Sequence, residues 1–218
     1  MSSNIAVRLL TAPSDDDRAR ILDILEAAFH ADNLILCLTG ASRTAERFLY
    51  QRIIDVCLRD GEVWVAGFGG RIDAVALWIR PGRDYLIGAD DEYRRTLPDE
   101  MQDWYLQHMR PKYQELYAAT YAKGSQTRVQ AWHLKLMAVH PQRQRQRLGK
   151  SLMSTLLDKA DRSSLTLTTD VQTSSALHFF QALGFKYTGV KNFISRRAGF
   201  PLWSMLRQPS SSSTPASR

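Results

Sequence analysis

The sequence predicts an α/β fold: a mixed sheet, mostly antiparallel with one parallel pair inside it, flanked by helices. Runs rich in β-branched and aromatic residues alternate with helical periodicities, in the order β, α, α, β, β, a helical insertion, β, α, β, α, β, β. The two β-α-β steps in that order require parallel strands, whereas a glycine pair between two strand-like runs marks an antiparallel hairpin. The chain has 218 residues, of which 44% are apolar, enough for one well-packed domain. That domain is expected over residues 1–207, with its most distinctive part at 60–207 and a helical insertion at about 83–127.

Ile5 to Leu10 is a short apolar run that reads as an edge strand. In "PSDDDRARILDILEAAF", Ser14 is placed to cap a helix, with Asp17 three residues on as its reciprocal partner. Asp15 to Asp17 suit the positive end of the helix dipole, and Ile21, Leu22, Leu25, Ala28 and Phe29 recur at helical spacing. A second helix is expected over residues 41–58, with Phe48, Leu49, Ile53, Val56 and Cys57 on its apolar side and Gly61 just past its end. "EVWVAGF" and "RIDAVALWI" then form a hairpin through Gly69-Gly70, closed by Pro81-Gly82.

Residues 83–127 read as helical, interrupted by Pro111. Tyr113, Tyr117 and Tyr121 fall on one helical face, either as packing surface or as the aromatic wall of a pocket. Trp132 to Val139, "WHLKLMAV", is a strong strand, followed by a helix from about Gly149 with Leu152, Met153, Leu156 and Leu157 on one side. "LTLTTDV" is another strand, "SSALHFFQAL" a short helix ending at Gly184, and "FKYTGV" and "FPLWSML" the closing strands. The Ser/Pro-rich tail at 208–218 is expected to be disordered.

The formal net charge of +7 points to an anionic ligand or partner. No stretch of about 18 apolar residues occurs, and "MSSNIAVRLL" has no basic region followed by a long apolar core, so neither a membrane span nor a secretory signal is expected. Cys37 and Cys57 lack a C-x-x-C partner, which argues against a zinc site and for buried free thiols in a reducing compartment, the cytoplasm or the nucleus.

The chemistry concentrates in "VHPQRQRQRLGKSLM", residues 139–153. A strand ends, Pro141 breaks it, and a helix opens. N–H groups in the first helical turn have no intrahelical acceptor and carry the positive end of the dipole, so such a junction binds phosphate through backbone amides. Gly149 allows close approach, and Arg145, Arg147 and Lys150 add charge. The spacing fits neither a P-loop nor G-x-G-x-x-G. A solvated basic face, or a basic patch for nucleic acid, would also use these residue types, but the cluster is short and no nucleic-acid motif accompanies it.

The same residues resemble the acetyl-CoA-binding motif Q/R-x-x-G-x-G/A of the GNAT superfamily of N-acetyltransferases, with Gln144, Arg147 and Gly149 in the signature positions and an arginine in place of the first glycine. "SALHFFQALGF" is similar to a second family segment, and "AVALWIRPG" and "PLWSMLR" resemble strands of fungal-type members. The resemblance implies a GNAT-like sheet in which the strand at Trp132–Val139 splays from its parallel neighbour. It implies acetyl-CoA as co-substrate, held by Met137, Ala138, Val139, Gln144, Arg145, Gln146, Arg147, Leu148, Gly149, Lys150 and Thr173. The acceptor would be a small-molecule or peptide amine, and the protein a monomer or homodimer. His133 and Asp170 are the candidate bases: His133 for its ordinary proton affinity near neutrality, Asp170 for its place at a strand end. Alternatively His133 is satisfied by packing or a backbone bond, and Asp170 caps the next helix or meets solvent. Lys135 would be a poor base unless desolvated. The family's usual tyrosine, which protonates the leaving thiolate, is Phe180 here. That substitution motivates a rival reading as a catalytically silent acyl-CoA binder.

Overall fold

The computed structural model describes residues 4–210. β1 (Ile5–Leu10) leads into α1 (Asp15–Ala28), α2 (Asn33–Thr39) and α3 (Arg43–Asp60), then the hairpin β2 (Gly61–Phe68) and β3 (Ala74–Ile79). The insertion contributes α4 (Asp91–Arg94), α5 (Asp99–Trp104), a π-helical turn (Tyr105–Met109), α6 (Arg110–Thr120) and α7 (Ser125–Gln130). β4 (Trp132–Val139), α8 (Leu148–Arg162), β5 (Leu167–Val171), α9 (Ser174–Gln181), β6 (Lys186–Ile194) and β7 (Gly199–Arg207) complete the chain.

The seven strands form one sheet in the order β1-β2-β3-β4-β5-β7-β6. Every pairing is antiparallel except β4 with β5. Two β-α-β steps were expected, but β7 inserts between β5 and β6, so only the first step yields adjacent parallel strands. Helices α1 to α6 pack a large core against one face, and α8 and α9 pack a second against the other.

Local chemistry explains the elements. The Ser14–Asp17 capping box is formed in both directions. Gly69 and Gly70 take φ values of 60° and 80°, the left-handed backbone the turn requires. α2 was not expected from the sequence: "NLILCLT" spans barely two turns, too short to display a periodicity, although Asp32 caps it through Ile35 N–H at 3.0 Å. Pro111 does not end the helical run. It stands near the start of α6, directly after a π-helical turn, with Met109 and Arg110 still in the right-handed helical region. Both cysteines are buried free thiols, and burial pushes Cys57 up to about 12.

The tail expected to be disordered begins ordered. Thr166 donates to Gln208 at 3.0 Å, and Ser210 N–H donates to Asp161 at 2.8 Å. Residues 211–218 lie outside the described residues. Asp161 also receives a two-pronged ion pair from the buried Arg207 at 2.8 and 2.7 Å. The Arg207 bond chiefly holds the Asp161 carboxyl at about 2. Because that value is depressed, the stabilisation is complete above the ordinary carboxylate range and is lost as pH falls toward 2. Asp161→Asn should therefore cost about 2–3 kcal/mol at pH 7, read by denaturant unfolding, and the gap to wild type should close below pH 3.

Candidate active site

The site begins where one pair of strands stops pairing. β4 and β5 are in register only from Trp132–Leu167 to Leu134–Thr169. Beyond Leu134 they part, while β4 stays paired to β3 as far as Val139. At the parting point the β3–β4 ladder slips: Trp78 faces Leu134 and Leu77 faces Leu136, which leaves Lys135 as the extra residue of a β-bulge. The bulge puts Lys135 and Leu136 on the same side of the sheet, toward the α1–α6 layer. His140 N–H is donated to Asp73 O, and alternation along the antiparallel ladder then turns the N–H and C=O of Met137 and Val139 into the gap. Consistent with this, Val139 O accepts from the Gln144 side chain at 3.3 Å.

The loop after β4 is wound for an anion. Arg145 and Arg147 adopt left-handed backbone, with φ of 62° and 68°, between ordinary residues. Alternating hands of this kind turn successive N–H groups inward as a nest. Ser151 N–H bonds to Arg147 O, closing the first turn of α8. The N–H groups of Arg145 through Lys150 have no intramolecular acceptor among the described residues. A Cβ built on Gly149 would meet Met137 Cε at 3.3 Å, Val139 Cγ2 at 3.6 Å and Phe179 Cζ at 3.7 Å. A side chain here would require the flexible end of Met137 to give by a few tenths of an ångström, and the glycine keeps the backbone beside the free amides unobstructed. These residues fit a diphosphate-bearing ligand.

Loop and gap open into one cavity of about 480 Å³ that passes through the splay. On the α8–α9 side it is lined by Met137, Val139, Gln144, Arg145, Arg147 to Lys150, Thr173, Phe179 and Phe180. On the other side stand Phe29, Asp32, Leu34, Ile87 and Tyr113, with His133, Lys135 and Asp170 between the two. Asp170 receives hydrogen bonds from Tyr117 at 2.6 Å and Ser204 at 2.8 Å. His133 Nδ1 lies 3.0 Å from Thr168 Oγ1, and its Nε2 lies 3.4 Å from Lys135 Nζ and 3.9 Å from Asp170. Burial, with Lys135 and Arg128 adding positive charge, holds His133 well below the usual imidazole range, so its ring is neutral. Burial and the nearby Arg128 also bring Lys135 down to about 7. Asp32, capping α2 and held by Gln172 at 3.2 Å, is raised by burial against those hydrogen bonds.

Most of the residues picked from the sequence meet at this cavity. Two of the cofactor candidates do not line it: the Ala138 side chain is in the core on the opposite side of the strand, and Gln146 turns back to Gln142 O at 3.3 Å. Thr173 lines the cavity and caps α9 through Ala176 N–H at 3.2 Å, so Asp170 is not that helix's cap. The tyrosine stripe is both things it was weighed as. Its members are buried, Tyr113 reaches the cavity wall and Tyr117 holds Asp170. Phe180 is buried edge-on to Phe179 and Phe185, and His178 is exposed. Lys135, Asp32 and Gln172 were missed as site residues. Asp32 had left a signal, as a cap before "NLIL". The bulge that turns Lys135 inward has no sequence mark.

Comparison with known proteins agrees with this geometry. Residues 113–187 match the family model of the acetyltransferase (GNAT) domain. No curated protein sequence matches the chain. Arylalkylamine N-acetyltransferase 2 from Aedes aegypti is similar in structure, with a TM-score of 0.65 at 18% identity over 95% of this chain and 100% of that one. A protein from Corynebacterium glutamicum, described as histone acetyltransferase HPA2 and related acetyltransferase, gives 0.64 at 20% identity, over 95% and 98%. The yncA protein of Salmonella typhimurium, solved with its cofactor acetyl-CoA, gives 0.56 at 17% identity, over 99% and 100%. The fold is that of the GNAT acetyltransferases. The segment that matches the family model runs from the tyrosine stripe through the loop after β4 to the start of β6.

Proposed function

We propose that the protein is an acetyl-CoA-dependent N-acetyltransferase that acts on a primary amine by direct attack on the thioester. The observation that carries this reading is the single cavity that joins free loop amides on one side of the sheet to a carboxylate-bearing, apolar chamber on the other. Arg145 to Lys150 would hold the diphosphate through their amides, with Gly149 giving it room. The gap-facing backbone of Met137 and Val139 would bond the amide-bearing pantetheine arm, and an N–H there would face the developing oxyanion. The cofactor supplies an activated acyl group. Asp32 and Asp170 supply negative charge for an ammonium, and Phe29, Leu34, Ile87 and Tyr113 supply an apolar wall for the rest of an amine. His133 and Asp170 belong to the polar wall past which the proton leaves. A fungal-type member, acting as monomer or homodimer on a small or peptidic amine, is the narrower form of this proposal and rests on the two strand segments and the chamber.

Acetyl-CoA at about 100 times its Kd should stabilise the protein by ~2.7 kcal/mol, seen as a rise in Tm. An unchanged Tm in a folded sample would sink the cofactor assignment. Stabilisation without thiol release across a broad amine panel would favour the silent binder, the reading that Phe180 motivates. No helix among the described residues is long and apolar enough to cross a membrane.

A further inference from the structure

We infer that Lys135 is the group that takes the acceptor amine's proton and passes it to the departing sulfur. The inference rests on the acetyltransferase reading above and goes beyond it by naming a residue for both proton transfers.

The β-bulge is the first observation. Without it, Lys135 would alternate to the face opposite Leu136. With it, the side chain enters the cavity at the point where β4 and β5 part. The second is the company Lys135 keeps. Its Nζ lies 3.4 Å from the neutral His133 Nε2 and 5.9 Å from the centre of the Tyr85 ring, and it forms no ion pair among the described residues. An ion pair would have fixed it as a cation. The groups facing it are Arg128 from α7, Asp170 from β5, Cys57 from α3, His133 from its own strand and Tyr85 from the loop after β3. Burial first, then Arg128, favours its neutral form, and Asp170 and Cys57 oppose them.

The third is that the rival bases are occupied. Asp170 accepts from both Tyr117 and Ser204, so each of its oxygens already holds a donor. His133 is buried, bonded at Nδ1 and turned toward Lys135, where its free Nε2 accepts an N–H once Lys135 is charged. Phe180 offers no proton at all. The bookkeeping of atoms closes. The amine nitrogen bonds to the thioester carbon and becomes acidic, its proton moves to Lys135 Nζ, the C–S bond breaks, and Lys135 returns the proton to the thiolate. One amide and one free thiol result. A lysine brought down to about 7 suits both transfers, stronger as a base than the charged adduct and strong enough as an acid for a thiolate.

The test uses the full chain with acetyl-CoA and 2-phenylethylamine, an amine on an apolar body that suits the chamber. Wild type should show an acidic limb in kcat/KM near pH 7. Lys135→Met should lose that limb and roughly 10²–10⁴-fold in rate while keeping its acetyl-CoA affinity. Lys135→Arg keeps a charge but cannot release a proton, so it should be as slow; recovery by arginine would make the role structural and overturn the inference. Independently of turnover, trace acetic anhydride labelling of the unliganded protein, read by peptide mass spectrometry across pH, should give Lys135 a midpoint near 7. A midpoint near the ordinary lysine value overturns the inference, as do variants with wild-type rates and limb. A wild type that binds acetyl-CoA but acetylates no amine overturns it and leaves the binding site standing. Failure to bind acetyl-CoA instead removes the functional reading, which the labelling midpoint does not depend on.

Discussion

Gly149→Asp should weaken acetyl-CoA binding by a hundredfold or more, about 2.7 kcal/mol, and leave the free protein as stable as before or slightly more so. The two effects have opposite signs for one reason. Gly149 is in the first turn of α8, where N–H groups lack acceptors and the dipole is positive. A carboxylate there adds ~0.3–1 kcal/mol to the unliganded fold by doing for the helix what the diphosphate would do. It also fills the space that the glycine leaves and repels the anion meant for it. The new Cβ meets its closest neighbour, the flexible end of Met137, at 3.3 Å, so that side chain must give by a few tenths of an ångström, a small shift for an unbranched chain end. Calorimetric titration with acetyl-CoA and a thermal melt check both halves. Unchanged affinity in a folded variant would move the diphosphate elsewhere.

The second large effect is a stability gain. Lys135→Met should stabilise the protein most below pH 7 and hardly at all near pH 10. Lys135 falls from 10.5 to about 7 on folding. Between those values the unfolded chain keeps a proton that the folded chain has shed, so this lysine makes stability rise with pH across that window. Below pH 7 both states are charged and the full burden applies, up to roughly 5 kcal/mol, less whatever water reaching the half-buried side chain relieves. The burden fades as pH rises from about 7 to 10.5. Subtracting wild-type from variant unfolding free energies at pH 6, 8 and 10 isolates it, because every other group titrates in both proteins. A difference independent of pH would mean that Lys135 folds as an ordinary exposed lysine.

The strands and long helices were legible because their signals are local. The Ser14 cap, the Gly69-Gly70 turn and the run at Trp132–Val139 need no distant partner to be read, and each lies where expected. The strand–loop–helix junction at residues 139–153 was legible for the same reason. What failed was what neighbours decide. The insertion of β7 between β5 and β6 follows from which edge is left to pair, not from the composition of either strand. The ordering of Ser210 depends on Asp161, 49 residues away. Asp170 and His133 were named by residue type, but their hydrogen bonds to Tyr117, Ser204 and Thr168 come from three different elements. Lys135 was set aside as a poor base unless desolvated, and its desolvation depends on a one-residue slip between β3 and β4 that nothing in "WHLKLMAV" announces.

A sheet ordinarily acts as a wall: whatever binds one face is invisible to the other. The parting of β4 and β5 makes this wall a window with two sills, one under each helical layer. Visitors arriving from opposite sides need not queue, and neither must leave before the other enters. Under the proposed function, donor and acceptor would then be present together, and no acyl group would have to be parked on the protein between two separate visits. The window would also set how they meet, with the reacting tips between the strands and the bulk of each on its own side.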